Sequence, residues 1–293
     1  MFKNYLLYSL DKKLDLESLE TRLESFKSKE PSKTGIETVG FWSPFPTNDG
    51  LSHTIMNSHY FNLRFFKKNI PSKLVNYRLG QKIRKAEEQG NPVSKKQRQE
   101  LKEEIINHIA SNTPAVPDSV NFMYDEDELV LCVDTSSNKK AETCISLLRK
   151  AIGSVPCKPL IPFNIASLLT SWCFENNLPD CLTVKEKGKL KALDETKAEA
   201  SFNNQFMDAE EVIAARDSGK YLVQIALQFE DDFLFSFTED GSVKSIKYTD
   251  FKLEEISEIP KSNEAELLDA QLALNTDSVR KFVKFVKEEI GDS

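Results

Sequence analysis

The stretch RFFKKNIPSKLVNYRLGQKIRKAEEQGNPVSKKQRQELK, residues 64–102, divides the chain and concentrates its positive charge. It holds 12 Lys+Arg against 3 acidic residues, a net of +9 in 39 residues. Val75, Leu79, Ile83 and Ala86 recur at the spacing of one apolar helical stripe, and Arg78, Lys82 and Lys85 form a basic stripe beside it. Gly90-Asn91-Pro92 is a break. Ser94 with Gln97 then fits a capping box opening a second helix, whose inner face is Leu101, Ile105 and Ile109. The stretch predicts a basic αα-hairpin.

On its N-terminal side the pattern is β-α-β-β. Residues 3–10 read as a strand, and Leu16, Leu19, Leu23 and Phe26 mark a helix with Asp15 as its cap. Gly35 to Trp42 and Leu51 to Phe66 read as single strands joined by the loop SPFPTNDG (43–50), and the aromatic run from Tyr60 to Phe66 as core. Beyond the hairpin, a Pro-containing exit from Asn112 to Pro117 leads to a β-hairpin, Val120 to Tyr124 and Leu129 to Val133, around the turn Asp125 to Glu128. A helix from Asn138 to Ile152 follows, capped within Asp134-Thr135-Ser136 and ended by Gly153, then a strand from Val155 to Leu160. The second half suggests helices at 163–176 and 208–217, the latter closed by Gly219, with mixed elements between them. Strands follow at Tyr221 to Phe229, Phe233 to Phe237 and Ser242 to Tyr248, the last after an Asp240-Gly241 turn. A final helix carries the stripe Val279, Phe282, Val283, Val286 and Ile290 after Thr276/Asp277. The fold class expected is α+β.

The 293 residues suggest about two domains, and 40% hydrophobic with 29% charged content excludes a disordered or collagen-like chain. The formal charge of −7 argues against a uniformly basic coat, but subtracting the +9 of the hairpin leaves −16 on everything else. The N-terminus has too short an apolar stretch for a signal peptide, and Pro159 to Phe174 is too short and too interrupted to span a bilayer. A cytoplasmic protein is expected, with its five Cys, which form no CxxC pair, as reduced thiols. His53, His59 and His108 lie near no Cys, so neither a metal nor a cofactor is expected. These histidines, with Trp42 and Trp172, read as core or surface residues rather than ligands.

No nucleophile elbow, dinucleotide fingerprint, P-loop or HExxH motif is present. Pro179-Asp180 followed by Glu195-x-Lys197 fits the loose spacing of metal-dependent PD-(D/E)xK nucleases, in which two carboxylates hold Mg²⁺. The other reading of these residues is surface charge near a turn. Lys and Arg clustered on one element suit phosphate contacts, which gain from counterion release; a solvated helical face is the alternative. Tyr77 is the one aromatic on these helices, so the natural contact is with backbone phosphate, without sequence preference. Phosphate contacts are assigned to Lys73, Arg78, Lys82, Lys85, Lys95, Lys96 and Arg98, with Lys220, Lys244 and Lys247 in the second half. A third reading is an interaction module whose hairpin docks on an acidic protein. Arg280, Lys281, Lys284 and Lys287 are expected near a helix C-terminus from its dipole alone.

Phe2-Lys3-Asn4, Leu101-Lys102-Glu103-Glu104, KKAETCISLLRKAIGSVPCKPL (139–160), Gly219-Lys220 with Val223 and Ala226-Leu227, and Asp240-Gly241-Ser242 with Lys244 and Lys247 come in an order that resembles the RdgC family of bacterial recombination-associated DNA-binding proteins. The resemblance implies a homodimer closed into a ring around duplex DNA, nucleoid-associated in the cytoplasm, with single-stranded DNA as a further partner. It also implies competition with RecA, and no enzymatic activity. It implies a central domain (1–69 and 113–161), an inserted helical tip (70–112) and a base domain (162–293). Lys220 sits where the family carries a basic residue lining the hole. Tip-to-tip contact falls to Asn112, Pro114 and Val116, within IASNTPAV (109–116), where the family usually has a Leu-Pro-Arg-Ala-Phe-Ser type segment. FNNQF (202–206) likewise lacks the family's usual basic residue before the 208–217 helix.

Overall fold

A computed structural model describes residues 1–45, 50–260 and 263–291. In chain order, β1 (Leu6–Leu10), α1 (Leu19–Glu24), β2 (Glu37–Trp42), β3 (Ser52–Ile55) and β4 (Ser58–Lys68) come first. Then come α2 (Ser72–Glu88), α3 (Lys95–Ser111), β5 (Ala115–Asp125), β6 (Val130–Val133), α4 (Asn138–Ile152) and β7 (Cys157–Pro159). The second half holds α5 (Ala166–Phe174), β8 (Leu182–Ala192), β9 (Glu199–Asn203), α6 (Glu210–Asp217), β10 (Lys220–Phe229), β11 (Phe233–Thr238), β12 (Val243–Tyr248), α7 (Asp250–Glu254) and α8 (Glu264–Glu289). The protein is α+β, as its pattern predicts.

The strands form two antiparallel sheets. The larger has seven, ordered β2-β4-β5-β6-β1-β7 with β3 also on β4; the smaller is β12-β11-β10-β8-β9. One face of the large sheet, with Phe41, Phe61, Leu63 and Phe122, packs under α1 and α4. The other, with Tyr60 and Met123, shares a core with α8 and the inner face of the small sheet, where Phe229, Phe233, Phe235 and Phe282 meet. A backbone bridge from Tyr5 to Val243 ties the sheets directly.

Several local expectations give way to longer-range structure. The segment Leu51 to Phe66 is a tight hairpin, β3 to β4, turning at Met56 and Asn57, both at positive φ. No glycine signals this turn. The exit Asn112 to Pro117 joins β5 from Ala115 onward; Pro117 pairs with Phe66 of β4 and, among the described residues, has no strand on its other side, a setting that tolerates proline. Asp15 does not cap α1: Ser18 occupies the cap, while Asp15 accepts from the Glu17 N–H and pairs with Arg22 at 3.1 Å. Ser137 rather than Asp134-Thr135-Ser136 caps α4. Asp134 instead accepts the backbone N–H groups of Lys3 and Asn4, which pins the N-terminus to the sheet. The strand expected from Val155 to Leu160 is confined to Cys157–Pro159, and the helix expected at 163–176 to Ala166–Phe174. The last helix starts at Glu264, well before Thr276/Asp277. Of the SPFPTNDG loop, residues 46–49 lie outside the described residues.

Candidate nucleic-acid interface

α2 and α3 connect β4 to β5, two strands paired along eleven residues from Ser58↔Asp125 to Lys68↔Ala115. Their apolar faces close on each other through Val75, Leu79, Ile105 and Ile109, with Ile83 and Leu101 at the margin. Ser94 and Gln97 form the full capping box at the start of α3. The hairpin foot is fixed by Lys68, whose buried ammonium donates to the carbonyls of Ser32, Lys33 and Ala110 at 2.8–3.0 Å. That cation closes the C-terminal end of α3 and is not available to a ligand.

Neither helix has an acidic residue in its first turn, and Lys73, Lys95 and Lys96 sit there against the helix dipole. Such placement costs helix stability and favours an anion. Arg78, Lys82 and Lys85 line a groove between the helices with Gln81, Glu104 and His108. Lys82 Nζ meets Glu104 at 2.8 Å, and Lys96 approaches Glu100 at 4.0 Å. Lys73, Arg78, Lys85, Lys95 and Arg98 make no ion pair among the described residues. Asn112, Pro114 and Val116 are exposed at the foot of the hairpin. They lie about 25 Å, one 17-residue helix length, from the Gly90 turn at its free end.

The second-half cations belong to another surface. Lys244 stands opposite Ser236, and Lys247 opposite Leu234, on the outer face of the small sheet. Across the same face run Ala226, Gln224 and then Lys189 of β8. Lys187, Lys189 and Lys191 alternate with the buried Gly188, Leu190 and Ala192, so β8 adds a lysine row beyond the cations expected from the sequence. Its signal was legible as Lys at every second position from 185 to 191. Lys189 pairs with Glu199 at 2.7 Å and holds that carboxyl below its ordinary value. Lys244 lies 3.6 Å from Asp240, and Lys220 donates to Ser218 at 2.7 Å. No hydrogen bond or ion pair among the described residues joins the hairpin cations to these.

The nuclease-like residues do not converge. Asp180 precedes β8 and Glu195 and Lys197 follow it, so the eleven-residue strand holds the carboxylates roughly 30 Å apart. One ion cannot bridge them. Among the described residues no group of His, Cys, Asp or Glu is arranged to hold a metal. The five cysteines are free thiols, with burial pushing Cys144 and Cys173 up to about 12. No helix among the described residues is long and apolar enough to cross a membrane.

Two antiparallel sheets around a shared core, a basic helical pair and a lysine-bearing sheet face on a chain otherwise acidic define an α+β protein with two separate cation-rich surfaces. The family model described as "Putative exonuclease, RdgC" matches residues 1–293. The chain is 33% identical to the recombination-associated protein RdgC of Pseudoalteromonas atlantica over 98% of its length and 96% of that relative. It is 29% identical to the protein of the same name from Proteus mirabilis, over 99% and 98% of the two chains. The match to the Mannheimia succiniciproducens protein of that name is 28%, over 99% and 97%. The chain belongs to the RdgC family.

Proposed function

We propose that this protein is a non-enzymatic, sequence-independent DNA-binding protein that acts as a homodimeric ring around duplex DNA and restrains RecA-dependent recombination. The observation that carries this reading is that Lys73, Arg78, Lys85, Lys95 and Arg98, with Arg84 and Lys102 of the same hairpin, make no ion pair among the described residues of a protein of net charge −7. A solvated face ordinarily mixes both signs, whereas a phosphate-binding face keeps its cations unpaired. The relatives' printed name, recombination-associated protein, is in keeping with it. The central, tip and base division and a tip contact through Asn112, Pro114 and Val116 are parts of the same proposal, as is a place on the nucleoid.

The test is duplex binding as a function of salt. With about six phosphates neutralised, log K falls against log salt with a slope near −5. Charge reversal of Arg78, Lys82 and Lys85 weakens binding to unrelated duplexes alike and makes the slope shallower. Sizing with and without duplex reads the dimer and its complex, and DNA remains intact with Mg²⁺ or Mn²⁺ present. A salt-independent affinity, or cleaved DNA, overturns the reading. Retention on an acidic protein bait without DNA binding replaces it with the interaction-module reading.

A further inference from the structure

The large sheet changes character along one face. Tyr60 and Met123 lie in the core shared with α8. Further along the same face, β2, β4 and β5 present Trp42 opposite Asn62, Asn62 opposite Asn121, Gly40 opposite Arg64 and Arg64 opposite Ser119. Here the sheet opens into a groove, bordered also by Lys27 and Phe45. The Arg64 guanidinium stacks over the Trp42 ring with Cζ 3.9 Å from its centroid, yet Trp42 remains 36% exposed.

Two polar atoms in this groove are buried and make no hydrogen bond among the described residues. Asn62, only 5% exposed, donates through Nδ2 to Asn121 Oδ1 at 2.7 Å, but its Oδ1 receives nothing. Arg64 Nε, one step along the strand face, is likewise buried without an acceptor. Buried polar atoms are nearly always paired, so an acceptor and a donor left open at successive same-face positions of β4 indicate a missing partner carrying the complementary pair. The edge of a nucleobase carries such a pair, and its flat face suits the Trp42–Arg64 stack; Lys27 at the border is already paired with Glu24 at 2.9 Å. A base within a duplex cannot enter, because its faces are covered by its neighbours.

We infer that the Trp42–Arg64–Asn62 groove is a stacking site for one unpaired base of single-stranded DNA, distinct from the phosphate-contacting hairpin. The inference rests on the nucleic-acid reading above and adds a strand-state preference to it.

The protein has two tryptophans, and Trp172 is 5% exposed and stacked on Phe237. In a Trp172→Phe background, emission therefore reports Trp42 alone. Oligothymidylate of twelve nucleotides is expected to quench that emission saturably, and an abasic oligomer of equal length is not. By anisotropy, Trp42→Ala weakens oligothymidylate binding about 10-fold, the range of one base–aromatic stack, while duplex affinity stays within about 2-fold. Trp42→Phe recovers most of the loss. Equal losses for oligothymidylate, abasic oligomer and duplex, or no loss at all, make Trp42 a packing residue and overturn the inference while duplex binding stands. If wild-type protein binds neither oligothymidylate nor duplex, the proposed function falls with it.

Discussion

Asn275 shows how a single polar residue organises the centre of this protein. It is fully buried in α8, accepts the Phe2 N–H at 3.0 Å and the Tyr248 hydroxyl at 3.1 Å, and donates to the Tyr60 hydroxyl at 3.1 Å. Tyr60 in turn donates to the Leu272 carbonyl, and Tyr248 meets Tyr5 at 2.8 Å. Burial pushes all three phenols above their ordinary 10, so they remain neutral hydrogen-bonding groups. Replacing Asn275 with Ala leaves the Phe2 N–H of the N-terminal segment and the hydroxyls of Tyr60 in β4 and Tyr248 in β12 without this partner. At 1–3 kcal/mol per unsatisfied buried group, less relaxation, the loss should be roughly 3 kcal/mol, read as a lower denaturant midpoint at unchanged m. Gly40 is a second such point: a Cβ there would stand 2.5 Å from the backbone of Ser28, which pairs with the edge of β2. Gly40→Ala should cost about 1–3 kcal/mol by overpacking, checked in the same assay. Neither role could be read locally, since both depend on partners distant in sequence.

Elements whose signals are local were legible. α2 and α3 declare themselves by a stripe, a break and a capping box, and α4 spans Asn138–Ile152 as its pattern predicts. α8 was only half legible. Its first half carries Leu267, Leu268, Leu272 and Leu274, the last two buried, but the buried polar run Asn275, Thr276 and Ser278 interrupts the apolar stripe, which is continuous only from Val279 onward. Its middle is held by charge: Lys252, with a side chain 4% exposed, meets Asp277 at 3.0 Å and Glu255 at 2.8 Å. Burial pushes the Asp277 carboxyl up, but Lys252 and Lys281 outweigh it and hold the group below its ordinary 3.8. A depressed carboxylate stabilises the fold above its unfolded-state value, and that contribution is lost as pH falls through the folded-state value. Asp277→Asn should therefore be less stable than wild type at pH 7 by on the order of 1 kcal/mol, because Asp277 is partly exposed. The difference should close as pH drops below 3.8, seen in thermal melts of both proteins across pH. A gap that persists in acid would assign the effect to packing.

At the scale of the molecule, the net charge of −7 conceals an organised separation of sign. The hairpin cations ride on the β4–β5 ladder, and the lysines of the small sheet are tied to the same body through the common core and the Tyr5–Val243 bridge. The hairpin was legible because its charge is contiguous in sequence. The sheet face was not, since it is assembled from β8, β10, β11 and β12 by pairings no local pattern specifies. Whether both surfaces engage one duplex is decided by the salt slope. Each lost phosphate contact removes about 0.9 from it, so charge reversal of Lys189, Lys244 and Lys247 should make the slope shallower by up to roughly 3. The Glu199 and Asp240 partners of Lys189 and Lys244 would reduce that figure, since cations already paired release fewer counterions. The two triple sets share no hydrogen bond or ion pair among the described residues, so their effects on log K should add when combined. A slope unchanged by the sheet-face reversal would leave the hairpin as the duplex contact and the lysine row as a solvated face. An additive loss would mean that one DNA molecule spans both, held by an inner surface of one sign and repelled elsewhere by the other.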